Sequence, residues 1–289
     1  MGFSSKEHPI SLHEPCFTCT QAWSYVKDCL DTGWVSTAGS WVCRFVQEIS
    51  ILSGAKHAVV VSSGTVALRL ALHLVGVSLN DEVLLPPLSF VATANAVAQL
   101  NAVPHFVNVE PNALGMCPVA LAARLEAIAV RRNGSIVNRE TGRRIAAVLP
   151  VHIFGHPAEV DQLRLVAYSW GLPLVEDAAE ALASWRGGIH CGLFGSVGTL
   201  SFNGNKLTTS GGGGALLTND DNLAKRAHHL STSAKQPHPW AFDHDVVGWN
   251  DRLPNLNAAL GVAQLEDLNR RLHAKCQLAC RYEEVSADV

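Results

Sequence analysis

A chain of 289 residues is long enough for one large domain or two smaller ones. Its 22 Lys and Arg against 25 Asp and Glu give a formal charge of −3, a balance without basic clusters that argues against nucleic acid as the main partner. Charged residues make up 16% and hydrophobic residues 48%, which excludes disorder over most of the chain and predicts a large apolar interior or interface.

Met1 to Lys6 holds no apolar run of a secretory signal, and Lys6 stands where a myristoylation site needs Ser or Thr. A cytoplasmic protein is the expectation. Cys16 and Cys19 form a C-x-x-C with no second pair at zinc-ribbon spacing, and Cys29, Cys43, Cys117, Cys191, Cys276 and Cys280 are scattered. Reduced, partly buried thiols are expected rather than a metal or redox site. His228 and His229 are adjacent, so on a helix they diverge instead of converging on one ion.

From residue 55 onward, short apolar runs alternate with helical patterns. Ala58 to Val61 reads as a buried strand, and Thr65 to Val75 as a helix with Leu68, Leu72 and Val75 on one face. Val83 to Leu85 is a strand stopped by Pro86 and Pro87, Ser89 caps a helix running through Leu100, and Val103 to Val109 is a strand. Val83 to Val109 lacks Asp, Glu, Lys and Arg, but its three prolines and interior Asn, Gln and His exclude a membrane span. Pro118 to Arg131 is helical with proline in its first turn. Arg131 to Arg144 is an exposed loop or hairpin insertion.

Strand Ala146 to Val151, helix Glu159 to Trp170 and strand Leu172 to Glu176 continue the alternation. Two glycine-rich segments, Gly187 to Gly198 and Gly211 to Gly214, flank a short run, Thr199 to Phe202. Asp221 to Leu230 is helical, Ser231 to Asn250 is irregular, and a long helix starts at Asn255. Repeated strand–helix units predict an α/β fold, a mostly parallel sheet covered on both faces.

Ligands of such sheets bind at loops beyond the carboxyl ends of strands, and three loops stand out. Ser62-Ser63-Gly64-Thr65 places hydroxyls and free backbone N–H groups at a helix start, which suits a phosphate; ordinary capping by Ser63 explains the same letters. In Val175-Glu176-Asp177-Ala178-Ala179-Glu180 an acid follows an apolar strand and needs a partner, as a cap, a metal ligand or the counter-charge of a cation. Lys206 ends a stretch with nothing charged from Gly187 to Asn205, so it is either a desolvated, nucleophilic amine or a surface lysine before a glycine linker. A phosphate cradle, a buried carboxylate and a desolvated lysine together are what pyridoxal 5′-phosphate needs.

At these residues the sequence resembles the sugar-nucleotide aminotransferases of the DegT/DnrJ/EryC1/StrS family, fold-type-I pyridoxal-phosphate enzymes. The likeness runs from about Ile10 to the end and rests on Thr32-Gly33-Trp34-Val35-Ser36, Ser63-Gly64-Thr65-Val66-Ala67-Leu68, Phe90-Val91-Ala92-Thr93-Ala94, Pro150-Val151-His152-Ile153-Phe154-Gly155, Glu176-Asp177-Ala178-Ala179, Ser201-Phe202-Asn203-Gly204-Asn205-Lys206 and Gly248-Trp249-Asn250-Asp251-Arg252. It implies a three-layer αβα sandwich with a mostly parallel mixed sheet. Residues 1–40 would be an N-terminal arm and 41–252 the cofactor-binding large domain. Residues 253–289 would form a helix leading to a truncated small C-terminal domain.

The resemblance also implies roles. Lys206 would carry the cofactor as a Schiff base and shuttle the proton, and Asp177 would pair with the ring nitrogen. Glu180, where Gln or His is frequent, would approach the phenolic oxygen and would need a proton or a neighbouring donor. Phe90 would stack on the ring, Gly64, Thr65 and Ser201 would hold the phosphate, and Asn250 would reach the phosphate of a partner subunit in a homodimer. Without the resemblance, Phe90 reads as a core aromatic and Asn250 as a turn residue. The S-F-N-G-N-K form with T-T-S-G-G-G-G is similar to members that take glutamate and UDP-4-keto-6-deoxy-N-acetylhexosamines in surface glycan biosynthesis. Because family members continue into a smaller domain, a non-catalytic homologue that dimerises with or regulates a full-length enzyme is the alternative.

Overall fold

In the computed structural model, which describes residues 15–18 and 20–286, two helices precede the first strand, α1 (Ala22–Thr32) and α2 (Ser40–Ser53). Gly33 and Gly54 end them, each at φ 74°, in the left-handed region that glycine enters without a Cβ penalty. The readings on Met1 to Lys6 and on Cys19, and the ends of segments 1–40 and 253–289, lie outside the described residues.

Strand and helix then alternate: β1 (His57–Val61), α3 (Gly64–Leu74), β2 (Glu82–Leu85), α4 (Val91–Ala98), β3 (Val103–Phe106) and α5 (Pro118–Ile128). The polar insertion folds as a hairpin, β4 (Ala129–Arg132) and β5 (Ser135–Asn138), turning on Asn133 (φ 49°) and Gly134 (φ 77°). After it come β6 (Ile145–Val148), a 3₁₀ turn at Ile153–Gly155, α6 (Val160–Trp170) and β7 (Val175–Asp177). A small hairpin, β8 (Trp185–Arg186) and β9 (Ile189–His190), leads to β10 (Val197–Ser201), β11 (Gly214–Thr218), α7 (Asp221–Ser231), α8 (Asn255–Glu266) and α9 (Leu268–Ser286).

Two ladders make the main sheet. One has the order β1-β11-β10-β7 and the other β3-β2-β6. Single parallel bridges, Val148 to Leu174 and Val151 to Asp177, join them at β6 and β7. Strand β11 runs antiparallel to both neighbours, while the β10–β7, β2–β3 and β2–β6 pairs are parallel. Alternate side chains enter opposite layers, as a pleated strand requires. Leu216 packs with α3 and α4 residues on one face, whereas Ala215 and Leu217 pack with Phe45 of α2 and Val262 of α8 on the other. The latter face continues beneath α5 and α6 around Leu84, Leu125 and Leu163. This is the expected three-layer αβα sandwich with a mostly parallel mixed sheet.

Several expectations need correction. Helix α4 starts after Phe90, which holds an extended backbone and makes no side-chain cap bond, so Ser89 does not cap it. Helix α5 stops at Ile128 because Ala129 turns extended to begin the hairpin. The long C-terminal helix is two helices, broken at Asp267. Strands β8, β9 and β11 were not foreseen. Of the described cysteines, Cys29 and Cys191 are buried, but Cys16, Cys43, Cys276 and Cys280 are exposed, and none is paired in a disulfide. Among the described residues no helix is long and apolar enough to cross a membrane, and no cluster of three or more His, Cys, Asp or Glu is placed to hold a metal.

Candidate active site

The three loops singled out by sequence meet at the carboxyl ends of β1, β7 and β10, around a cavity of about 270 Å³. Ser63 Oγ accepts the Val66 amide at 3.2 Å, so capping and cavity lining are both done by the same turn. Gly64 and Thr65, in the first turn of α3, also line the cavity, and first-turn amides have no acceptor inside their own helix. The positive end of the helix faces the same space, which favours an anion.

Glycine at this corner is a packing requirement. A Cβ on Gly64 would lie 2.7 Å from Ser201 Cβ, and one on Gly214 would lie 2.4 Å from the Ser63 carbonyl oxygen. The end of β10 and the start of β11 are thereby drawn against the helix start, which brings Ser201, Gly212 and Gly213 to the cavity wall.

The three acids at β7 have separate fates. Glu176 is fully buried and turned away. Its Oε1 accepts the amides of Phe194 and Gly195 at 2.7 Å each, and its Oε2 accepts that of Gly192 at 2.9 Å and lies 3.1 Å from His152 Nε2. His152 Nδ1 accepts the Ala158 amide at 3.1 Å, so the ring proton belongs on Nε2, facing Glu176. Asp177, only 4% exposed, faces the cavity. Thr93 Oγ1 donates to its Oδ2 at 2.7 Å and the Ala179 amide to its Oδ1 at 3.1 Å. Burial pushes the Asp177 carboxyl above the usual carboxylate range, against the pull of those two donors and of the Lys206 charge.

Lys206 ends an uncharged stretch along the chain, but in three dimensions it meets a carboxylate. Its Nζ lies 3.2 Å from Glu180 Oε1, while Glu180 Oε2 accepts the Phe154 amide at 2.9 Å. Each Glu180 oxygen therefore has a donor. Phe154 reaches Glu180 from a left-handed backbone (φ 54°, ψ 19°), a costly conformation for a bulky side chain. Sequence shows no charge near Lys206 because Glu180 and Asp177 arrive from another strand end.

Of the remaining site candidates, Phe90 lines the cavity at the head of α4 and is 69% exposed, so it is not a core aromatic. Asn250 does not line the cavity. It is exposed on the irregular segment before α8, beside Asp251, which pairs with Arg69 of α3. Thr93, His152, Phe154 and Ala179 are not singled out as site residues by sequence; all four lie inside quoted motifs, but nothing local in the sequence marks what they touch. The residues present fit pyridoxal phosphate: a helix start with free amides and hydroxyls for a phosphate, glycines that admit a flat ring, a buried acid for a cationic nitrogen, and a lysine amine.

The DegT/DnrJ/EryC1/StrS aminotransferase family model matches residues 19–289. A curated relative, GDP-perosamine synthase of Vibrio cholerae, is 36% identical over 270 residues, covering 93% of this chain and 69% of that protein. The chain spans about two thirds of the length of the curated relatives it matches. Among solved structures, the aminotransferase TlmJ from Streptoalloteichus hindustanus superposes with a TM-score of 0.86 at 30% identity, over 97% of this chain and 72% of that one. NtdA from Bacillus subtilis with bound cofactor PMP superposes with a TM-score of 0.72 at 26% identity, over 86% of this chain and 52% of that one. The chain belongs to the DegT/DnrJ/EryC1/StrS aminotransferase family, whose cofactor is pyridoxal 5′-phosphate.

Proposed function

We propose that this chain is an aminotransferase that moves an amino group from glutamate to the keto carbon of a 4-keto-6-deoxy nucleotide sugar in surface glycan biosynthesis. The observation that carries the reading is the convergence of Lys206, Asp177 and the Gly64–Thr65 helix start on one cavity. Gly64, Thr65 and Ser201 hold the cofactor phosphate, and Phe90 covers one ring face. Asp177 stays ionised against a protonated ring nitrogen, a buried anion with a cationic partner. Pyridoxal phosphate, when bound, supplies the electron sink for charge left on the substrate carbon.

Lys206 Nζ would hold the cofactor at rest. Once the donor amine has displaced it, Nζ would act as the base and acid that moves a proton at the donor's α-carbon and later at the sugar carbon. Glu180 holds that amine and lies toward the phenolic oxygen. The same reading makes the enzyme cytoplasmic and homodimeric, with exposed Asn250 serving the cavity of a second copy. It keeps residues 41–252 as the cofactor-binding unit, 1–40 as an arm and 253–289 as a helical extension.

The GDP-perosamine synthase relative supports a nucleotide sugar as acceptor, and its name supports a GDP-linked one. The S-F-N-G-N-K form supports a UDP-linked N-acetylhexosamine. The test is a titration of the purified chain with pyridoxal phosphate. A visible band is expected, borohydride should fix the label on Lys206, and Lys206→Ala should carry none. Glutamate should then discharge the band and release 2-oxoglutarate, and mass spectrometry of reactions with UDP- and GDP-linked 4-keto sugars identifies the acceptor. Cofactor capture without 2-oxoglutarate release would overturn the transfer reaction.

A further inference from the structure

Helix α4 carries a buried hydroxyl. Thr93 is fully buried, as are Ala96 and Val97 of the same helix, and a hydroxyl so placed needs a partner. Helical threonines often satisfy themselves on the carbonyl four residues back. Thr93 instead reaches across the join between the two ladders, from the helix after β2 to the end of β7, and donates to Asp177 Oδ2 at 2.7 Å. That distance is that of a well-formed O–H···O hydrogen bond.

We propose that Thr93 is a positioning residue: its hydroxyl fixes the rotamer in which the Asp177 carboxylate faces the ring nitrogen of the cofactor. The inference rests on the cofactor reading given above. Each Asp177 oxygen has one protein donor, Thr93 on Oδ2 and the Ala179 amide on Oδ1. Two donors on two oxygens set the plane of the group and leave acceptor capacity for a third partner. Thr93 also sits one turn from Phe90, the residue at the head of the same helix that lines the cavity. One hydroxyl therefore ties the helix presenting the ring-face aromatic to the strand presenting the ring-nitrogen acid. Its place in the first turn of α4 adds the positive end of that helix to the side of the carboxylate.

The test compares Thr93→Val, which keeps the shape and removes the donor, with Thr93→Ser, which keeps the donor and removes a methyl group. Pyridoxal phosphate is titrated into each full chain, and affinity and the position of the visible band are read. The Val variant should raise Kd about ten- to a hundred-fold, the range for a hydrogen bond to a charged group, and move the band. The Ser variant should stay within about threefold of wild type and keep it. Thr93→Ala gives the same comparison with Ser should the Val variant fail to fold. Equal Kd and band position in Val and wild type, or equal loss in Val and Ser, overturns the proposal.

A second readout needs no cofactor. In the unloaded protein the carboxyl ¹³C shift of Asp177, assigned through Asp177→Asn, titrates in a field that also includes Lys206, His152 and Glu180. Removing the Thr93 donor should move its midpoint up, and an unmoved midpoint counts against the proposal. Failure of wild type to load would refute the cofactor reading while this titration still decides the role of Thr93.

Discussion

Lys206 Nζ lies 3.2 Å from Glu180 Oε1, and the other oxygen of that carboxylate is held by the Phe154 amide at 2.9 Å. Glu180 thus joins the amine at the end of β10 to the left-handed turn after β6. Glu180→Gln keeps an acceptor oxygen for one of the two donors, and cofactor affinity should stay within about threefold. Glu180→Leu leaves both donors without it, at a cost of about 0.5–1.5 kcal/mol given partial exposure of the group. Pyridoxal phosphate titration of the two variants, with melting curves for the unloaded chains, checks the difference.

Asp177 trades stability for site chemistry. Its folded carboxyl titrates above its unfolded value because of burial. The stability this group contributes is therefore fully present below the unfolded value, near pH 3.9, and is lost as pH rises through the folded one. Asp177→Asn removes that loss. The unloaded variant should be more stable than wild type at neutral pH, and the two should converge in acid. Denaturant unfolding across pH tests the sign, and the same variant should fail to take up pyridoxal phosphate tightly.

Gly64→Ala should damage the corner where α3 meets β10. The added carbon would lie 2.7 Å from Ser201 Cβ, so helix or strand must shift. Overpacking of this kind costs about 1–3 kcal/mol. A lowered melting temperature together with weakened cofactor binding is expected, and weakened binding of inorganic phosphate would locate the damage at the helix start.

Asp251 anchors the segment that carries Asn250. It pairs with Arg69, whose guanidinium stacks over the Trp249 ring at 4.7 Å from its centre, while its carbonyl accepts the Ser62 amide at 2.8 Å. Asp251→Ala should cost about 2 kcal/mol, the scale of hydrogen bonds to a charged group. It should also speed proteolytic cleavage within residues 235–247, measured against wild type at equal fraction folded.

Much of the sheet could be read from the chain because β1, β2 and β6 are short, mostly apolar runs with no exposed residue, each followed by a turn signal. β11 escaped because Ala215-Leu216-Leu217 follows four glycines and has the look of a linker's end. Its strand character comes from pairing with β1 and β10, which is non-local. The two-residue strands β8 and β9 have no period to detect. In the site, Lys206, Asp177 and Ser63-Gly64-Thr65 stand at strand ends, where position alone marks them. Thr93 is hidden in an alanine-rich helix, and its partner lies 84 residues away. The charge beside Lys206 is equally invisible along the chain, since Glu180 comes from another loop.

The two ladders of the sheet are hydrogen-bonded to each other beside β6 and β7. Phe90 and Thr93 belong to one ladder's helices and loops, Gly64, Ser201 and Lys206 to the other's, and Asp177 stands on the seam itself. A slip of one ladder past the other by a single pleat would keep the hydrogen bonds within each ladder, yet would separate the residues meant to grip one small molecule. Occupancy of the cavity is in that sense a gauge of sheet alignment, and slowed amide exchange along Val148–Asp177 on loading is how the alignment would register.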